Sequence, residues 1–239
     1  MDNNSELAGL RHRREINEIE YDIVKPFGPS ILETQLPDDI FEALLSTTDE
    51  LLASSGRESW GAYLVGQIRE EIRIPDAVLE EIGVADYLKQ VFAEFSFGSI
   101  YCNAAPDYKK EVDKLVDSGE FRNPARIDIE SAWVVSQFAG EYNPIHNHSM
   151  ATIASVMYLK VPDKMEGSAL PGKQPTDGCI EFVDRAAGDS LATLQTSTVR
   201  VRPQAGRFYA FPSSLLHLVY PFQGEGERRS ISINASHRF

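Results

Sequence analysis

The chain has 239 residues, 42% of them hydrophobic and 25% charged, enough for a full core and too apolar for wholesale disorder. Its 36 acidic residues outnumber 23 basic ones, a net charge of -13. That charge repels phosphate backbones and anionic lipid and sets duplex nucleic acid aside as a partner. No apolar run approaches the roughly 20 residues of a membrane-spanning helix.

In chain order, residues 1–20 are polar and mixed in charge, with Arg11-His12-Arg13-Arg14 as the one basic cluster. They read as a solvated arm or helix face. The start has neither the basic nor the apolar region of a leader, so none is expected. Residues 23–36 are interrupted by Pro26 and Pro29 and read as extended chain or a short strand. Pro37-Asp38-Asp39 opens a helix, with Ile40, Leu44, Leu45, Leu51 and Leu52 at helical spacing. Pro75-Asp76 opens another, broken at Gly83 and carrying Leu79, Leu88, Val91 and Phe92 near one face. Residues 21–125 are therefore a helical, mixed support region. From residue 126 the character changes to short β-rich runs at 127–138, 152–161, 179–183, 196–202, 207–211 and 228–235. Turn clusters lie between them, notably at 162–178 and 184–189. The expectation is one structural domain, mainly β with supporting helices, whose residues 126–239 form an antiparallel sandwich or jelly roll.

Cys102 and Cys179 stand far apart in no metal or redox motif, as expected of packed thiols in a cytoplasmic protein. The sequons at Asn3, Asn147 and Asn234 are then chance matches.

The informative residues are histidines. Of five, His12 and His237 are isolated, while His146 and His148 stand two apart and His217 follows in a later segment. Residues two apart in extended chain point to one side, so the pair can present two imidazoles to one point. Imidazole is the commonest neutral nitrogen ligand of Zn, Fe, Cu and Ni. Eleven residues after His217, Arg228 begins the run Arg228-Arg229-Ser230-Ile231-Ser232-Ile233-Asn234. Alternation places Arg228, Ser230, Ser232 and Asn234 on one face and Arg229, Ile231 and Ile233 on the other, with either face free to turn inward. Turned inward, the polar face would offer a guanidinium fork and a hydroxyl to a carboxylate.

A short-spaced ligand pair, a distal histidine and an Arg-x-Ser beyond it resemble the Fe(II)/2-oxoglutarate-dependent oxygenases. Closer phrases are Tyr142-Asn143-Pro144-Ile145-His146-Asn147-His148-Ser149, Tyr158-Leu159-Lys160-Val161-Pro162, Gly178-Cys179-Ile180-Glu181-Phe182 and His217-Leu218-Val219-Tyr220-Pro221. They are similar to the phage and marine-bacterial type with a His-x-His motif, distantly prolyl 4-hydroxylase-like, over about residues 125–236. Leu64-Val65-Gly66-Gln67-Ile68 resembles the phage members too. The resemblance implies a double-stranded β-helix, cupin-like, with His146 and His217 as metal ligands. His148 stands where most of the superfamily has Asp or Glu, so the site is expected to be a three-His one; the alternatives are that His148 does not bind, leaving an open position as in the halogenating relatives, or that Glu141 supplies a carboxylate. Arg228, Ser230 and Tyr158 would hold the distal carboxylate of 2-oxoglutarate, with Arg229 the fallback if the strand is turned. Implied cofactors are Fe(II), 2-oxoglutarate and dioxygen, with succinate and carbon dioxide released as a small molecule or protein side chain is hydroxylated. No side chain beyond the metal centre is given a catalytic role. The loops at 140–144 and 162–178 are expected to choose and cover the substrate, and a homodimer is the default if the chain assembles.

Two rivals share the histidines. A cupin-type three-His metalloenzyme would need no Arg228-x-Ser230, and a non-catalytic barrel would need no metal. A dinucleotide site is disfavoured because Gly224-Glu225-Gly226 lacks the third glycine and its strand–helix context. There is also no Gly-x-Ser-x-Gly for a hydrolase.

Overall fold

The computed structural model describes residues 10–16, 19–25, 28–165, 175–184 and 198–238. The first half runs β1 (Leu10–Ile16), β2 (Ile19–Lys25), β3 (Ile31–Gln35), α1 (Asp38–Ala53), β4 (Glu70–Ile74), α2 (Asp76–Glu81), α3 (Val84–Asn103) and α4 (Pro106–Asp117). The second half adds β5 (Arg126–Gln137), β6 (Asn143–His146), β7 (Ile153–Lys160), β8 (Ile180–Val183), β9 (Thr198–Val201), β10 (Arg207–Pro212), β11 (Leu216–Val219) and β12 (Arg228–Arg238).

Helices α1, α2 and α4 each start at a proline, where the chain cannot continue a strand. Pro37 and Pro75 precede α1 and α2, and the acids of the first turns complement the positive end of the helix dipole. Pro106-Asp107 repeats this signal at the head of α4. Its Tyr108, Val112, Leu115 and Val116 stand at helical spacing, although only Val112 is buried.

The strands form two antiparallel sheets, one of eight in the order β1-β2-β3-β10-β7-β12-β5-β4 and one of four in the order β6-β11-β8-β9. The large sheet is covered on both faces. Its outer face offers Met157 and Leu159 of β7, Phe208 of β10 and Ile231 and Ile233 of β12 to α1–α3. Phe92 of α3 meets Phe208 edge to face at 5.9 Å. Its inner face offers Val156, Tyr158, Tyr209 and Phe211 to Ile180 and Phe182 of the small sheet. The alternation is strict, so a one-residue slip would exchange the two cores. This is a double-stranded β-helix, with the helices as an outer layer on its large sheet.

The region upstream of residue 125 is more than support. β1 to β4 extend the same large sheet at both edges. The arm expected over 1–20 is a strand at 10–16, paired with β2 from Leu10↔Lys25 to Ile16↔Ile19; its charges suit an edge strand. Residues 1–9, with the sequon at Asn3, lie outside the described residues. So do 166–174 and 185–189 of the two turn clusters and the first two residues of the run expected at 196–202. Among the described residues no helix is long and apolar enough to cross a membrane.

Candidate metal centre

His217 is on its own short strand, β11, which the turn at 212–215 separates from the end of β10. β11 pairs with β6 at His217↔His146, so the two rings leave the small sheet together, centroids 4.2 Å apart. His148 lies just beyond β6, tied down by its amide donating to Ser213 O at 2.9 Å. One ligand atom from each of the three lies within 4.8 Å of the others.

Every Nδ1 in the trio is committed. His146 donates to Pro144 O at 2.7 Å, His217 to Leu215 O at 2.9 Å and His148 to Asn234 Oδ1 at 2.7 Å. These acceptors fix the tautomer, leaving each Nε2 with a bare lone pair. The Nε2 atoms of His148 and His217 face each other at 3.2 Å. Two acceptors at that distance repel unless a cation stands between them. A proton is a poor candidate, because burial drives all three rings toward the neutral form, His148 down to about 4 and His217 well below its ordinary value. A divalent metal suits three neutral imidazoles. Packing holds the rings in place: Trp133 stacks on His148 at 5.8 Å, and Phe211 meets His217 edge-on at 4.9 Å.

Arg228 and Ser230 share this cavity of about 410 Å³ with the three histidines, Ser232 and Asn234. The polar face of β12 is therefore the inner one. Arg228 is buried, donating from Nε to Gly178 O at 3.0 Å and from Nη1 to Gln137 Oε1 at 3.1 Å. Among the described residues its Nη2 has no acceptor in hydrogen-bonding geometry, a costly state for a buried guanidinium that a ligand carboxylate would relieve. Desolvation lowers the Arg228 pKa, and the adjacent Tyr158 opposes that fall. Tyr158 is wholly buried, its ring 4.9 Å from the guanidinium carbon, which puts it against Arg228 and not in the cavity wall. Gly178 must be glycine: its φ is +62°, and a Cβ there would stand 2.6 Å from Met165 Sδ.

The two fallback residues are engaged elsewhere. Arg229 lies on the outer side, forked onto Glu227 at 2.7 and 2.8 Å and bonded to Asp49 at 2.6 Å. Glu141 takes Arg69 Nε at 2.7 Å and the Phe138 amide at 2.9 Å. Of the loop at 140–144, Asn143 reaches the cavity wall. Residues 64–68 belong here too, since Leu64 and Val65 line the cavity and the Gln67 amide donates to Tyr142 O. Sequence reasoning missed Trp60, Tyr63, Glu71 and Trp133, which also line it. The period-2 alternation of β5 is the one signal that finds any of them, placing Trp133 beside Val135.

Residues 131–234 match the sequence family described as "Putative 2OG-Fe(II) oxygenase". No curated protein matches the chain. Similar solved structures include AviO1 from Streptomyces viridochromogenes Tue57, 16% identical with a TM-score of 0.51 over 86% of this chain and 89% of that one. The epimerase SnoN in complex with Fe3+, alpha ketoglutarate and nogalamycin RO is 13% identical, with a TM-score of 0.50 over 85% of this chain and 78% of that one. A prolyl-4-hydroxylase from Pseudomonas putida is 16% identical, with a TM-score of 0.48 over 85% and 91%.

Proposed function

From the match of residues 131–234 to the family of 2OG-Fe(II) oxygenases, we propose that the chain is such an oxygenase and that it hydroxylates a small-molecule or side-chain substrate. His146, His148 and His217 would hold Fe(II). Arg228, with Ser230 beside it in the cavity and Tyr158 packed on its guanidinium, would hold the distal carboxylate of 2-oxoglutarate. The observation that carries this reading is the pairing of needs within one cavity. Three lone pairs converge on one point, and one edge of a buried guanidinium has no hydrogen-bond acceptor among the described residues. Iron and 2-oxoglutarate, when bound, would supply the oxidising power: one atom of dioxygen goes to the substrate and the other to the keto acid, which leaves as succinate and carbon dioxide.

The protein's share is position and dryness. The acceptors on Nδ1 keep the imidazoles neutral and aimed. Arg228 is already oriented by Gly178 and Gln137, so its fork need not reorganise on binding. The apolar lining of Val135, Val156, Ile180 and Phe211 keeps bulk water from the reacting centre. A cupin-type metalloenzyme without 2-oxoglutarate has no use for the open edge of Arg228. The test is succinate formation from 2-oxoglutarate that requires both Fe(II) and oxygen. The parent chain is expected to form it and His146→Ala is expected not to; equal rates in the two would overturn the assignment.

A further inference from the structure

Among the described residues, Glu71 is the one anionic side chain in the cavity wall and Arg228 is its one permanent cation. Glu71 sits on β4 opposite Val135 of β5, so its side chain takes the same inner face as Val135 and Trp133. It is 2% exposed, and its Oε2 has no hydrogen-bond partner among the described residues. The cations nearest in sequence are engaged: Arg69 pairs with Glu141 at 2.7 Å, and Arg73 pairs with Glu58 at 3.3 Å and lies over the Trp60 ring.

The chain also makes room for this carboxyl. The Trp60 amide donates to Glu71 O at 2.7 Å, drawing residues 60–66 across it. Gly66 then passes so close that a Cβ would lie 2.7 Å from Glu71 Oε1 and 2.4 Å from Asn143 Oδ1. Two oxygens thus converge beside a wall containing Trp60, Tyr63 and Trp133. Buried carboxylates without a cation are expensive, and burial, reinforced by Glu141, raises this one to about 7.

We propose that Glu71 is a specificity-determining carboxylate and that the substrate is a small molecule bearing an alkylammonium or guanidinium group. The cation seats on Glu71 and Asn143 beside the aromatic wall, while the remainder of the substrate extends toward the histidines. Acidic oxygen beside aromatic faces is the chemistry that recognises a cationic nitrogen. A cavity of about 410 Å³ is of the size that holds a small ligand. An anionic substrate would meet Glu71 with like charge and compete for Arg228. This inference rests on the oxygenase reading for what becomes of the substrate, but not for its binding.

The test is calorimetry on the full chain without added metal, in mildly alkaline buffer, using n-butylammonium, n-butylguanidinium and n-butanol. The two cations are expected to bind roughly tenfold to a hundredfold more tightly than the alcohol, the range that a charge-assisted hydrogen bond supplies. Glu71→Gln, which keeps the shape and removes the charge, should erase that preference and leave the alcohol unchanged. A preference that persists in Glu71→Gln belongs to the acidic surface and overturns the proposal, as does no preference in the parent chain. Loss of iron and 2-oxoglutarate binding with the preference intact would sink the oxygenase reading alone.

Discussion

His148 is held by three different contacts: Asn234 accepts its Nδ1 proton, Trp133 stacks on its ring, and its Nε2 faces that of His217. The Asn234 contact sets which nitrogen is bare and where it points. Asn234→Ala is therefore expected to weaken Fe(II) binding about 10- to 100-fold, the usual loss when the partner of a ligating histidine goes. Competition with a chromophoric chelator measures it, and unchanged affinity would show that packing alone aims the ring. At this scale much was legible in the sequence. The Arg-x-Ser follows from the alternation of β12, while the His-x-His pair and the distal histidine were legible as a spacing of residue types and not as strands. Glu71, Trp60 and Tyr63 were not legible, because they arrive from an edge strand and an irregular segment more than sixty residues upstream, with no period to mark them.

A single strand shows how one period serves two purposes. On β12, Arg228, Ser230, Ser232 and Asn234 line the cavity, while Ile231 and Ile233 enter the outer core fully buried. Ile233→Ala is expected to cost about 2–5 kcal/mol of stability, as large-to-small core substitutions do, yet leave 2-oxoglutarate affinity unchanged. Arg228→Ala should do the opposite, and urea melts beside ligand titrations separate the two. The sequence left open which face turned inward, since a buried polar face is favourable only if something satisfies it. The structure answers through Gly178 and Gln137, which bond Arg228, and through Glu227 and Asp49, which hold Arg229 outside. β6 and β11 escaped a sequence reading because each is four residues long, too short for alternation to register. β1 escaped because its run Arg11-His12-Arg13-Arg14 looks solvated, and an edge strand tolerates such residues.

Across the whole molecule, the titration of Glu71 ties stability to the site. Desolvation, with Glu141 second, raises its pKa in the fold from an ordinary 4.5 to about 7. Between those values the folded chain binds the proton and the unfolded chain has released it, so stability falls as pH rises through the window and levels off above it. Glu71→Gln removes that loss. The variant is expected to exceed the parent by about 2–3 kcal/mol above the upper limb and to converge with it below the lower. Denaturant melts across the range check this, and parallel curves for the two proteins would contradict it. A carboxyl kept at such a cost is what a site complementary to a cation requires before its ligand arrives.

The central claim is that three histidines and one arginine make a single iron and 2-oxoglutarate site. The most direct measurement is an anaerobic titration of metal-free protein with Fe(II) and then 2-oxoglutarate, following the visible charge-transfer band of the chelate. The parent chain should develop the band and His217→Ala should not. Arg228→Ala should require on the order of a hundredfold more 2-oxoglutarate, as loss of a buried charge-assisted contact implies. Fe(II) binding with no band at saturating 2-oxoglutarate, or a band indifferent to Arg228→Ala, would contradict the account.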